Sequence, residues 1–113
     1  MKRGEIWLIN LDPTVGAEIR KTRPAVIVNS DALGKLPLSV IVPITDWKEH
    51  YSIAPWMVLV KPTTANGLSK QSSADCFQVR SVSQTRFVKK LGMLQQEQMR
   101  QLVAGLSIVL ELQ

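Results

Sequence analysis

The stretch that decides the fold is Arg20-Lys21-Thr22-Arg23-Pro24-Ala25-Val26-Ile27-Val28, in which three cations stand at the mouth of a continuous apolar run. Pro24 offers no backbone N–H and biases Arg23 toward extended backbone, so it suits the first residue of a strand. Arg23 is then the last polar residue before the core, and a rigid element holds its guanidinium. Such a group suits a phosphate, because its fork of donors matches phosphate oxygens and its charge does not titrate at working pH.

Outward from this strand, short apolar runs alternate with turn chemistry. Glu5–Leu11 predicts a first strand closed by Asp12-Pro13. The connection from Asp12 to Arg23, about a dozen residues, is long for a hairpin and is a place to look for function. Ser39–Ile44 predicts a third strand with Thr45 at its far mouth, and Asp46–Pro55 a mobile, exposed loop carrying Trp47, His50 and Tyr51. Trp56–Val60, Ser72–Val82 and Val88–Met93 complete six strands, with an Asn66-Gly67 turn before the fifth. The strands are continuously apolar rather than alternating, which predicts cover on both faces from a helix or a second subunit. Gln96–Leu110 supplies such a helix, with Met99, Leu102, Val103, Leu106, Val109 and Leu110 on one face and a weak cap at Gln95. The expected fold is mainly β with a C-terminal helix: a small, strongly bent antiparallel sheet close to an SH3-like barrel, in one domain spanning residues 1–113.

Composition narrows the function. Fourteen Lys and Arg against nine Asp and Glu give a net charge of +5 and a pI near 9.7, which favours a polyanionic partner. One cysteine forbids an intramolecular disulfide, and one histidine excludes both a zinc cluster and a two-histidine RNase mechanism. No metal or cofactor is expected. The N-terminal apolar run is too short for a signal peptide or membrane span, so a soluble, cytoplasmic protein with no membrane partner is expected.

The sequence carries no P-loop, GxGxxG, HExxH or GxSxG motif. His50 reads as a solvated loop residue and Cys76 as a small core residue. Trp7 and Trp56 sit in apolar runs and suit core packing, while Trp47 is open to a stacking role. Three features stand out: the cluster Arg20, Lys21, Thr22 and Arg23; Thr45; and the polar positions Ser72, Asp75, Gln78 and Arg80 on an otherwise buried strand. Together they describe a polar, cationic pocket at one mouth of the barrel.

Several segments are similar to the MazF/PemK toxins, the endoribonuclease halves of toxin–antitoxin pairs. They are Arg3-Gly4-Glu5-Ile6-Trp7, Leu11-Asp12-Pro13-Thr14-Val15-Gly16-Ala17-Glu18, Arg23 through Val28 with Asn29 and Asp31, Val42-Pro43-Ile44-Thr45, Gly67-Leu68 and Gln78-Val79-Arg80, in that order. The resemblance implies a homodimer, metal-independent cleavage of single-stranded RNA, and inhibition by a cognate antitoxin with an acidic tail. By position it implies Arg23 and Thr45 as catalytic residues and Glu18 as a candidate for proton transfer. Ser72 and Gln78 fall where the family contacts RNA; Arg20, Lys21 and Arg80 add cations along the same path. Two departures are specific to this chain. Lys21 stands where the family's loop commonly has glycine, and Phe77 where it often has Asp.

A non-catalytic inhibitor on the same fold, such as the gyrase poisons of the CcdB type, is the alternative from another class. Those depend on a C-terminal tryptophan motif, whereas this chain ends Val109-Leu110-Glu111-Leu112-Gln113. A barrel that only binds RNA is a third reading, separated from the enzyme by the geometry around Arg23 and Thr45.

Overall fold

Residues 1–112 are described by a computed structural model. Seven strands run β1 (Glu5–Asn10), β2 (Thr22–Ile27), β3 (Leu38–Asp46), β4 (Met57–Val60), β5 (Ser72–Asp75), β6 (Arg80–Ser83) and β7 (Phe87–Met93), followed by helix α1 (Gln96–Leu110). They form one antiparallel sheet in the order β4-β5-β3-β2-β1-β7, with β6 also paired to β3. The sheet bends without closing, as a partial barrel.

The long strand β3 organises the sheet. On one edge it pairs β2 through Ala25–Pro43, Val26–Val42 and Ile27–Ile41. On the other it pairs β6 from Leu38 to Ile41 and then β5 from Ile44 to Asp46. This change of partner corrects the expectation of one continuous strand over Ser72–Val82. The chain leaves the ladder in a 3₁₀ turn at Cys76–Gln78, because the Asp75 carboxylate accepts the Phe77 N–H at 3.0 Å and starts the turn itself. The expected loop at Asp46–Pro55 likewise contains a 3₁₀ turn, Glu49–Ile53.

Both faces of the sheet are buried, and both are covered from within the chain. One cluster, with Ile6, Val26, Val42, Ile44 and Val60, meets Leu102, Met99, Leu106 and Val109 of α1. The second, with Ile9, Leu11, Ala25, Ile27, Ile41 and Val82, is covered by Trp7, Phe87 and Ile19 from the β1–β2 loop. The helix occupies the residues expected of it, and Gln95 makes no side-chain cap. Its buried stripe is narrower than expected, however. Val103 is 43% exposed and Leu110 53%, because both flank the line through residues 99, 102, 106 and 109. Trp7 and Trp56 pack against the core as partly buried rings, and Cys76 is fully buried.

Close approaches fix two junctions. Gly105 lets α1 approach the Cys76 turn, where an added Cβ would stand 2.8 Å from Sγ. Gly67, at φ +69°, brings the Thr63–Leu68 turn onto β7, where a Cβ would lie 2.1 Å from the Leu91 carbonyl oxygen. Backbone cannot yield as a side-chain end can. Gly67→Ala is therefore expected to destabilise the fold by about 3 kcal/mol or more, combining backbone strain with overpacking; chemical denaturation of both proteins measures the difference.

Candidate functional site

The β2–β3 ladder ends at Ala25–Pro43, and the next position, Pro24, has no N–H to continue it. Beyond that point a cleft of about 330 Å³ lies between the ends of the two strands. Thr22, Arg23 and Pro24 line one side, and Ile44, Thr45 and Asp46 the other, with Gly67, Lys70 and Ser72 completing the wall. Arg23 and Thr45, from opposite sides of the sequence-predicted pocket, thus share one cavity.

Arg23 is half-buried, and its Nε donates to the Arg20 carbonyl at 3.4 Å. Thr45 is half-buried and pairs with Ser73 of β5. The buried Ser72 donates its hydroxyl to the Lys70 carbonyl at 2.9 Å, leaving its oxygen able to accept. Sequence reasoning missed Lys70 and Asp46. Lys70 Nζ lies 3.1 Å from Asp46 Oδ1 at the cleft wall. Both side chains are more than half exposed, so the pair contributes at most about 1 kcal/mol and opens readily to a competing anion. No pattern of residue types signals the pair; the β3–β5 register creates it by setting Asp46 opposite Ser72 and so near Lys70.

Glu18, Gln78 and Arg80 lie elsewhere. They line a neighbouring cleft of about 460 Å³ with Leu11, Ile19, Pro43 and Phe77. Glu18 Oε1 accepts the Val15 N–H at 2.6 Å and closes its own turn. Gln78 accepts the Ile19 N–H at 2.6 Å and donates to the Ala17 carbonyl at 3.3 Å. Arg80 donates to the Leu11 carbonyl at 3.2 Å, and Arg86, also missed, donates to the carbonyls of Asn10 and Asp12. These side chains fasten the β1–β2 loop. The two clefts adjoin through β3, which gives Pro43 to one and Thr45 to the other, about 6.6 Å apart along the strand.

Arg20 and Lys21 are exposed on the loop, and Lys21 adopts φ +71°. That left-handed conformation favours glycine over lysine. Phe77 is 66% exposed and edge-on to Trp56 at 6.1 Å, so it does not fill core. Beyond Thr45, Tyr51 packs edge-to-face against both Trp47 and His50. Among the described residues no three His, Cys, Asp or Glu side chains form a metal-binding group, and no helix is long and apolar enough to cross a membrane.

Two buried groups behind the clefts are perturbed. Burial pushes the Asp75 carboxyl above its ordinary value, only partly offset by N–H groups of Phe77 and Gln78. Burial, with a smaller contribution from the Asp75 charge, pushes the Cys76 thiol up to about 12. Cys76 is therefore a protonated core group rather than a nucleophile.

Fold and cleft define a small basic β-protein able to hold an anion between two strand ends. The family described as PemK-like, MazF-like toxin of type II toxin–antitoxin system matches residues 2–110. The chain belongs to that family. It is 34% identical over 119 residues to the endoribonuclease MazF9 of Mycobacterium tuberculosis, covering 99% of this chain and 98% of the relative. To the Escherichia coli endoribonuclease PemK it is 33% identical over 112 residues, covering 97% and 82%. The solved MazF of Deinococcus radiodurans superimposes with a TM-score of 0.83 at 21% identity, over 99% of this chain and 97% of that one.

Relief of the left-handed strain makes Lys21→Gly more stable by about 1 kcal/mol, read as a rise of about 4 °C in Tm. For Cys76 the folded chain holds its proton where the unfolded chain releases it. Stability present below pH 9 is accordingly lost as pH rises from about 9 toward 12, at up to about 1.4 kcal/mol per pH unit. Urea titrations at pH 8 and 10.5 should show this loss in the wild-type chain and a smaller one in Cys76→Ala.

Proposed function

We propose that this chain is the toxin of a toxin–antitoxin module, and that residues 1–113 act as one endoribonuclease domain cleaving single-stranded RNA, including mRNA, in the cytoplasm. The observation that carries the reading is the shared cleft of Arg23 and Thr45, walled by Lys70 and opened where the β2–β3 ladder stops. Membership of a family whose named relatives are endoribonucleases supports it.

In this reading the ribose 2′-oxygen attacks the adjacent phosphorus. The O2′–P bond forms and the P–O5′ bond breaks. The 2′-hydroxyl proton goes to a base and O5′ gains a proton, leaving a 2′,3′-cyclic phosphate and a 5′-hydroxyl. The nucleophile belongs to the substrate, so DNA is excluded by the hydroxyl it lacks. Arg23 stabilises charge on the phosphorane and Thr45 donates a hydrogen bond to a phosphate oxygen, both from strand ends that need little reorganisation. Lys70 exchanges its Asp46 partner for a phosphate. Glu18, which lines the adjoining cleft, is the candidate proton acceptor, and it must release the Val15 N–H and swing toward Arg23 and Thr45 to serve as one. Arg20 and Lys21 attract RNA to the loop, and Ser72 contacts it from the cleft wall. The chain acts as a homodimer and is inhibited by a cognate antitoxin whose acidic tail complements its +5 charge; a related mycobacterial endoribonuclease was solved with its cognate antitoxin.

The purified chain, incubated with mixed-sequence single-stranded RNA in EDTA, is expected to produce cyclic-phosphate and 5′-hydroxyl ends. Arg23→Ala and Thr45→Ala should each reduce the rate by about two to three orders of magnitude. Intact RNA in the presence of folded wild-type chain overturns the reading, and full activity of Arg23→Ala overturns the site.

A further inference from the structure

We propose that Gln78 is a positioning residue: its carboxamide clamps the loop backbone on both sides of Glu18 and so holds Arg20 and Lys21 in place to capture RNA. The inference rests on the endoribonuclease reading, and it moves Gln78 from touching RNA to arranging what does.

The two bonds bracket one residue. Oε1 accepts from the N–H of Ile19 at 2.6 Å, and Nε2 donates to the carbonyl of Ala17 at 3.3 Å. An amide is the side chain that supplies both a donor and an acceptor in one plane. The turn that carries Gln78 is set from behind, where the Asp75 carboxylate accepts the Phe77 N–H at 3.0 Å. The support is rigid. Asp75 and Cys76 are buried, the Cys76 N–H donates to the Trp56 carbonyl at 3.1 Å, and Cys76 packs under Gly105.

The loop needs such a holder. Its base is fastened by Arg80 and Arg86, but its outer part contains Gly16 at φ +59° and Val15 at 81% exposure. Ile19 then turns inward to the second core cluster, one residue before Arg20. Gln78 fixes the backbone at that point. Ordering a cationic segment before the substrate arrives removes an entropic penalty from binding.

The test has two arms. In the first, amide hydrogen exchange is followed in the free, full-length chain. Gln78→Leu is expected to speed exchange of the Ile19 N–H about tenfold, and Gln78→Glu, which keeps the acceptor, by less. Unchanged exchange at Ile19 in folded Gln78→Leu overturns the clamp. In the second arm, binding of an uncleavable 2′-O-methyl single-stranded oligonucleotide is measured. Gln78→Leu is expected to weaken it about tenfold in the wild-type background and little in R20A/K21A, because the clamp acts through those cations. Equal weakening in both backgrounds overturns the proposal in favour of direct contact. Failure of the wild-type chain to cleave RNA sinks the endoribonuclease reading, whereas the exchange result at Ile19 decides the clamp on its own.

Discussion

A missing hydrogen bond is the constraint on which the rest of the structure depends. Two strands that run together through Val26–Val42 lose their ladder after Ala25–Pro43, where Pro24 supplies no donor. The sheet is continuous below that point and open above it. Core residues hold the strands in register up to the opening, so the groups immediately beyond it inherit the precision of the core without being buried in it. Arg23 and Thr45 occupy those places. The register Ala25–Pro43, extended by two residues, sets them opposite each other. A loop-borne pair would have no such reference frame.

Much of this was legible in the sequence, and the reason is local. Proline and glycine punctuate the strands, β-branched runs fill them, and the helical stripe through Met99, Leu102, Leu106 and Val109 has a period that a strand cannot accommodate. What was hidden depends on which backbone group a polar side chain captures, near or far along the chain. Asp75 looks like one more polar residue on a strand until it captures the Phe77 N–H and breaks the strand in two. Gln78 and Arg80 look like an RNA-facing pair, but their partners at Ile19 and Leu11 are 59 and 69 residues distant. No pattern of residue types announces such a bond, because every loop offers carbonyls and N–H groups alike. Lys70 and Asp46, an ion pair spanning 24 residues, were missed because only the β3–β5 register brings them together.

The electrostatics divide along the same line. Cations that shape the chain, Arg80 and Arg86, are tied to carbonyl oxygens, whereas Arg20 and Lys21 are exposed and Lys70 is held only by an exposed ion pair. Bonding to a carbonyl does not neutralise a guanidinium. The anchored cations therefore keep contributing to the long-range field that draws in a polyanion, while the exposed ones are free to rearrange around it. Sequence charge counts both kinds alike, which is why +5 pointed to the partner class but not to the residues that meet it.

The fastening of the β1–β2 loop carries a consequence for descent. Gln78, Arg80 and Arg86 grip the loop through the amide and carbonyl groups of Asn10, Leu11, Asp12, Ala17 and Ile19. Backbone groups are common to nearly every amino acid, so the grip is indifferent to the side chains displayed between them. Thr14, Val15 and Ala17 can drift through mutation while the loop's path over the sheet stays the same, whereas Gly16 at φ +59° and Glu18, whose carboxylate holds the Val15 N–H, are constrained. A lineage built this way can change what its loop recognises without renegotiating how the loop is held, provided the three gripping side chains persist.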